Sequence, residues 1–447
     1  MRVLHLTTEF PPVIYGGLGT AVGGWVTASA EAGMTMGVLL VEGELVIDDP
    51  AGSARYGAGG PAGRTRLQDR EIEGGERAVV DRAGIRFFQE SWAGAAAAGV
   101  RLARRWQPDI IHLHTAMVWP VAQAIQRQTS IPLVYHVHSV DKAEYEIGQE
   151  PQPWLAHSEA QEQAIASADR LIALSQDERD LLASYYPEAR DRIRVVGNGI
   201  HEPAADGPPA RPRCPGQPLV LYSGRLVERK GIRELLAAIP RVLEAAPTTR
   251  FALAGGPPNL RPADVAAQWL TPEAAPHHAR IHFTGWLSPS QLASWYRSAD
   301  VLVVPSRYEP FGMVILEGMI HGLPVVASNV GGPAEILDHG RTGLLFPPRD
   351  AAALAEQLTA VLRDRRLRER LGRAGAEEAR LNWTWPKRVG AMSEVYTELT
   401  KYQRGPPRFA PRGWDHAPRA SARPAGSPPA AGAGTDFRWP SSAETMT

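Results

Sequence analysis

The sequence predicts an α/β protein built as two tandem doubly wound domains. Three observations carry that expectation. Short β-branched runs alternate with longer Ala-rich or amphipathic stretches, the pattern of parallel strands joined by crossover helices. The alternation stops at a Pro- and Gly-rich break and then begins again. The chain has 447 residues, room for two or three domains at roughly 100–200 residues each.

In the first domain, 1–200, the runs Val3–Thr7, Gly37–Val41, Ile110–His114, Leu133–His138, Leu171–Leu174 and Arg194–Val196 read as strands. A glycine-rich stretch, Asp48–Arg64, interrupts them and is expected as a long surface loop. Residues 201–218 form the linker; proline lacks an N–H and keeps the residue before it out of helix, and Pro203–Pro218 is rich in it. In the second domain, 219–380, strands are expected at Leu219–Ser223, Phe251–Ala254, Ile281–Thr284, Val301–Val304, Pro324–Ala327 and Gly343–Phe346. Ile232–Leu243, Pro289–Arg297 and Met313–Ile320 read as helices between them. From 381 to 403, Trp383-Thr384-Trp385-Pro386 opens a terminal helix over Lys387–Leu399. Residues 404–447 lack apolar periodicity and are expected to be disordered, since they cannot bury enough surface to offset their ordering entropy.

Composition narrows the function classes. Lys+Arg and Asp+Glu both number 48, so the chain has no global attraction to nucleic acid or anionic lipid, and any anion site must be local. Peripheral membrane contact is left open, but no apolar window approaches the length of a transmembrane span. The single cysteine, Cys214, allows neither an internal disulfide nor a thiolate metal cluster. The start, MRVLHLTTEF, enters a strand directly and lacks the pattern of a signal peptide. A cytoplasmic location is expected.

Three places carry chemistry. Tyr15-Gly16-Gly17-Leu18-Gly19 follows the first strand and precedes a helix, where glycines admit a ligand close to the backbone; a plain tight turn fits it equally well. Ser223-Gly224-Arg225-Leu226-Val227-Glu228-Arg229-Lys230-Gly231 follows the first strand of the second domain. Ligands of open α/β sheets sit at that end of the strands, and Arg225 and Lys230 could clamp a diphosphate there. A solvated basic loop is the alternative.

The third place is Pro305–Met319. Glu309 lies in the loop after an apolar strand, and Glu317 lies about one turn inside the helix that begins at Met313. Amides of Phe311, Gly312 and Met313 at that helix start suit a phosphate. Carboxylates so placed need hydroxyl or cationic partners to offset their desolvation, and sugar hydroxyls supply them; a structural Glu–Lys or Glu–Arg pair would also do so.

The stretch SRYEPFGMVILEGMIHGLPVVASNVGGPAEILDHGRTGLLF resembles the nucleotide-sugar signature of retaining GT-B glycosyltransferases, glycosyltransferase family 4 in particular. Its two glutamates, separated by seven residues, correspond to Glu309 and Glu317. SGRLVERKG resembles the family's donor-phosphate loop, and the GGLG turn and VVGNGI extend the likeness over roughly residues 1–400. The resemblance implies two Rossmann-like domains facing a cleft, with the acceptor on the first and a nucleoside diphosphate sugar on the second. The terminal helix is then expected to cross back to the first domain.

It implies catalytic roles for Glu309, at the donor sugar, for Arg225 and Lys230, at the departing diphosphate, and for His138, near the sugar, with His136 as a rival. The donor-binding set is Gly17, Gly19, Arg225, Lys230, Phe311, Gly312, Met313, Val314 and Glu317, with Glu317 on the nucleotide ribose. Glu335 matches a further recurrent position, where a carboxylate capping a helix start fits as well. No D-x-D tripeptide occurs, so no metal and no other cofactor is expected.

Glycogen and starch synthases carry lysine where Ile14 stands and an acid where Thr115 follows Ile111-His112-Leu113-His114. The family's Asn-Gly-Ile-Asp ends here in His201. The first two departures argue against polyglucan synthesis from ADP-glucose. The expected activity is transfer of a sugar from a nucleoside diphosphate sugar to an acceptor hydroxyl on a glycan, lipid or small molecule. The alternatives are a glycogen- or starch-synthase-like enzyme, a nucleotide-sugar epimerase and a silent sugar-nucleotide-binding protein.

Overall fold

The computed structural model describes residues 1–11, 14, 16–41, 71–72, 76–80, 84–148, 155–203, 209, 216–256 and 260–402. The expected loop at Asp48–Arg64, Cys214 and the expected disordered segment 404–447 lie outside them.

Among the described residues, two sheets form the frame. The first has nine strands, in the spatial order Glu71–Ile72, Glu76–Val80, Arg86–Glu90, Thr35–Val41, Arg2–Thr7, Ile110–Leu113, Leu133–His136, Arg170–Ala173 and Ile193–Val195. The second has six: Ile281–Gly285, Arg250–Ala254, Leu219–Ser223, Val301–Val304, Val325–Ser328 and Leu344–Phe346. All pairings of the second sheet are parallel. Each sheet is buried on both faces by apolar clusters, which is why its central strands read as apolar runs.

The first sheet departs from the all-parallel expectation at one edge. Arg86–Glu90 adds in parallel beside Thr35–Val41, and Glu76–Val80 and Glu71–Ile72 then pair antiparallel. These three short segments place charged residues beside apolar ones, so neither a continuous apolar run nor strict alternation marks them.

The terminal helix Trp385–Tyr402 packs Trp385, Val389, Met392 and Tyr396 into the first sheet's cluster with Val3, Val22 and Trp25. Trp385 sits in a slot made by glycine. A Cβ at Gly24 would lie 2.0 Å from its ring, and one at Gly199 would lie 2.6 Å from its backbone. Asn198 accepts the indole N–H of Trp25 at 2.9 Å. The VVGNGI stretch therefore works as the seam that receives this helix, with His201 half-buried 5.9 Å from the Trp385 ring. Among the described residues no helix is long and apolar enough to cross a membrane.

Candidate active site

Two loops of the second sheet meet where adjacent strands end. Leu219–Ser223 pairs with Val301–Val304, so the segments that follow, Gly224–Gly231 and Pro305–Gly312, leave the sheet side by side. Gly231, at φ +69°, turns the first loop into the helix Ile232–Ala245; a Cβ there would lie 1.8 Å from the Pro305 carbonyl oxygen. Gly312, at φ +97°, turns the second into the helix Met313–Ile320. The N–H of Arg307 donates to the Arg229 carbonyl at 2.7 Å and ties the loops together.

This closeness brings Lys230 and Glu309 into contact. The Lys230 ammonium lies 2.5 Å from Glu309 Oε2, which also accepts the Ser306 hydroxyl at 3.0 Å. Glu309 is only 7% exposed. Burial pushes its carboxyl up, but Lys230, Arg229 and the two hydrogen bonds outweigh burial and hold it below the usual carboxylate range. Burial pulls the Lys230 ammonium down to about 8, against the opposing attraction of Glu309, with Arg229 and Arg225 adding repulsion. The pair is ionised at neutral pH, close to the upper limit at which its lysine keeps the proton.

The neighbouring charges have fixed partners. Arg229 pairs with Glu144 at 3.2 Å, and Arg307 with Glu234 at 2.7 Å and Glu228 at 3.3 Å. Arg225 is exposed at the loop's tip, its carbonyl accepting the Tyr222 hydroxyl at 2.7 Å. Glu317 accepts the Tyr296 hydroxyl at 2.7 Å, and burial raises its carboxyl while that bond opposes the rise. The amides of Met313 and Val314, in the first turn of their helix, have no intrahelical acceptor, as at any helix start.

Gly331 and Gly332 press against the same loop. Cβ atoms there would lie 2.3 Å from the Glu309 oxygen and 2.0 Å from the Phe311 oxygen, and Gly332 N–H donates to Glu309 O at 3.0 Å. The Phe311 ring lies against Gly197 and 5.7 Å from Trp383.

From the first sheet, the helix Gly17–Glu31 opens at the Gly-rich turn. Among the described residues, added Cβ atoms at Gly16 or Gly17 would meet nothing within 4 Å. Gly19 is packed against Glu9, whose carboxylate accepts its N–H at 3.3 Å. His138 follows the strand Leu133–His136 and is half-buried, whereas His136 is fully buried and neither ring nitrogen has a partner among the described residues. That burial separates the two rivals: only His138 has surface to offer a ligand. Thr115, where an acid was absent, accepts the Met117 N–H and caps a short helical turn.

Residues 217–364 match the family model for glycosyl transferases group 1, and residues 56–202 match that for glycosyltransferase family 4. The glycogen synthase of Mycobacterium tuberculosis is 30% identical over 428 residues, 91% of this chain and 97% of that one. The chain belongs to the family 4 glycosyltransferases. The D-inositol 3-phosphate glycosyltransferase of Corynebacterium efficiens is 32% identical over 65% of this chain and 72% of its own. The solved sucrose-phosphate synthase of Thermosynechococcus elongatus is 25% identical, with a TM-score of 0.71, over 90% of this chain and all of that one. The fold is GT-B, and the chain is a nucleotide-sugar glycosyltransferase.

In this glycosyltransferase a cross-sheet link beside Glu309 escaped the sequence reading. The Tyr308 hydroxyl lies 2.8 and 2.9 Å from the Glu178 carboxylate oxygens and accepts the Val140 N–H at 3.1 Å. It thus joins the Glu309 loop to the segment two residues past His138. Glu178 is fully buried and pushed up to about 8, chiefly by burial, with the Tyr308 bond opposing. Ser175-x-x-Glu178 carries the signature of a capping box, which hides the role of the carboxylate: Ser175 caps the Glu178 N–H, but the Glu178 side chain goes to Tyr308. Glu335 likewise reaches the other half, accepting the Asp177 N–H at 3.0 Å.

Tyr308→Phe deletes one hydroxyl and leaves a buried N–H and a buried carboxyl short of partners. The expected loss is about 2–4 kcal/mol of unfolding free energy, read by chemical denaturation. A loss under about 0.5 kcal/mol would show that water replaces the bridge.

Proposed function

We propose that this chain is a retaining, metal-independent hexosyltransferase acting from a nucleoside diphosphate sugar on a carbohydrate hydroxyl. The observation that carries the reading is the buried Lys230–Glu309 pair at the strand ends, beside Arg225 and an amide-bearing helix start. Donor arrival divides the pair: Lys230 and Arg225 turn to the diphosphate, and Glu309 takes hydroxyls of the sugar. Negative charge grows on the diphosphate as the glycosidic bond breaks, so cations fixed there bind the transition state more tightly than the substrate. Glu317 takes the ribose in exchange for Tyr296. His138 faces the sugar from the first domain. Two cations and helix amides carry the task that a D-x-D-bound ion performs elsewhere.

The relatives divide the acceptor question between a glucan, as in a glycogen synthase, and a small phosphorylated molecule, as in the inositol phosphate and sucrose-phosphate enzymes. Ile14 and Thr115 argue against the glucan.

The test is incubation with α-linked UDP-, ADP- and GDP-hexoses, with maltooligosaccharide or sugar phosphates as acceptors, in EDTA. Proton NMR of the product should show an α linkage, with turnover unchanged by chelation. A β product would refute retention, and rescue by magnesium would refute metal independence. A new sugar isomer formed from donor alone would mark an epimerase.

The pH dependence follows from Lys230. Its ammonium is needed charged, and kcat/KM reports the free enzyme, so activity should hold below about pH 8 and fall about tenfold per unit above it. Glu178 titrates in the same range, but Lys230→Arg separates the two: that variant should lose the alkaline fall while keeping any part due to Glu178.

A further inference from the structure

At the centre of the first sheet, five histidines from three neighbouring strands stand together: His5, His112, His114, His136 and His138. Side chains two apart on a strand share a face, which stacks His112 on His114 at 4.2 Å and His136 on His138 at 4.4 Å. Two sets of three bring ring nitrogens within 4.8 Å of one another. The nitrogens at the junctions, however, face each other in pairs. His138 Nε2 lies 3.2 Å from His114 Nδ1, and His114 Nε2 lies 2.7 Å from His5 Nδ1. These contacts make a hydrogen-bonded chain running from the half-buried ring of His138 into the core.

Proton counting constrains that chain. Burial pulls His5 and His138 down to about 3 and His114 well below the ordinary histidine range, so each ring is neutral and carries one proton. The central ring, His114, must then donate at one nitrogen and accept at the other. Both bonds therefore run in the same direction, and only two arrangements exist.

In the first, His5 Nδ1–H donates to His114, and His114 Nδ1–H donates to His138 Nε2. The proton of His138 then sits on Nδ1, outside the chain. In the second, every bond reverses, and His138 presents a lone pair at Nδ1. The inner end decides between them. His5 Nε2 is buried and has no partner among the described residues. The first arrangement leaves a bare acceptor there, and the second leaves an N–H. An orphaned buried N–H is the rarer and costlier defect.

We infer that His5 and His114 are positioning residues that fix His138 as the Nδ1–H tautomer, so that it meets the substrate as a hydrogen-bond donor and not as a base. The inference rests on the proposed placing of His138 at the donor sugar and assigns the chemical role of that contact. An Nδ1–H suits an oxygen of the sugar or the leaving group. Proton removal from the acceptor hydroxyl then falls to another group.

The experiment is two-bond nitrogen–proton correlation on the full chain labelled with 15N-histidine, in wild type, His5→Phe and His5→Asn. Asparagine places an amide N–H where His5 Nδ1 stands; phenylalanine places none. Wild type should show His138 with its proton on Nδ1. His5→Phe should show a mixture of tautomers and a kcat about tenfold lower, one hydrogen bond's worth, with KM little changed. His5→Asn should restore both.

A wild-type His138 carrying its proton on Nε2 would overturn the inference, even if neither variant folds. So would a phenylalanine variant with unaltered tautomer, or an asparagine variant as impaired as phenylalanine. If no nucleotide sugar is turned over by wild type, the glycosyltransferase chemistry fails separately, and the nitrogen spectra still decide the direction of the chain.

Discussion

Lys230→Ala should lower kcat/KM by about two to three orders of magnitude, the usual cost of removing one preorganised group that meets developing negative charge. The same variant should lose about 3–5 kcal/mol of stability, because it strands a buried carboxylate. The two losses have different origins and are measured separately, by donor kinetics at a temperature where circular dichroism shows the fold intact, and by denaturant unfolding. Lys230→Arg keeps the charge but replaces a compact ammonium with a planar fork, so it should recover most of the stability and only part of the rate. Activity of Lys230→Ala within threefold of wild type would remove the diphosphate clamp from the mechanism.

Lys230 is exposed to both effects because of its surroundings. The backbone of its partner Glu309 is pressed by Gly331 and that of Phe311 by Gly332, and the neighbouring Tyr308 is anchored to Val140 and Glu178 in the first domain. The loop that carries the carboxylate is therefore held on one side by backbone contacts that leave no room for a Cβ and on the other by the hydrogen bonds of the Tyr308 hydroxyl. Such support keeps a charged group in place without its ligand, which is what preorganisation requires. Arg229, next to Lys230 in sequence, pairs with Glu144 and contributes through its field.

The frame was legible because parallel strands buried on both faces must be apolar throughout, and Val301–Val304 or Leu219–Ser223 can be read as little else. The helix Met313–Ile320 was legible to the residue, because Pro310 and Gly312 mark its start. Arg86–Glu90 was not, since a short strand half wetted by charge carries no clear period. In the site, Lys230 and Glu309 could be named from motifs and a Glu–Lys or Glu–Arg pair was one of the readings, but which cation meets Glu309 depends on which strands are neighbours. Tyr308–Glu178 was hidden for the same reason: its residues are 130 positions apart. The histidine chain was visible only as scattered letters, since the register of three strands aligns them.

A double-mutant cycle on the pair should separate stability from chemistry. Glu309→Gln removes the group assigned to the sugar hydroxyls, and its kcat should fall by about two to three orders of magnitude. Its stability should suffer less than that of Lys230→Met. The ammonium left behind is 19% exposed and already pulled down to about 8, so it reaches water or sheds its proton at modest cost. The carboxylate left by Lys230→Met is deeper and has neither escape at neutral pH.

The pH dependence of stability should therefore reverse sign between the two proteins. In wild type the folded carboxyl lies below its unfolded value near 4.5; its contribution is present above that pH and lost as pH falls through the folded value. In Lys230→Met, burial acts with less opposition and lifts the folded value above the unfolded one. Its stability should be greatest in acid and decline as pH rises from about 4.5. Lys230→Met/Glu309→Gln has no buried charge at either position and should regain stability over Lys230→Met while staying inactive, a coupling of about 1–3 kcal/mol. If Lys230→Met instead gains stability with rising pH as wild type does, Glu309 reaches another cation or water, and the pair is no closed unit.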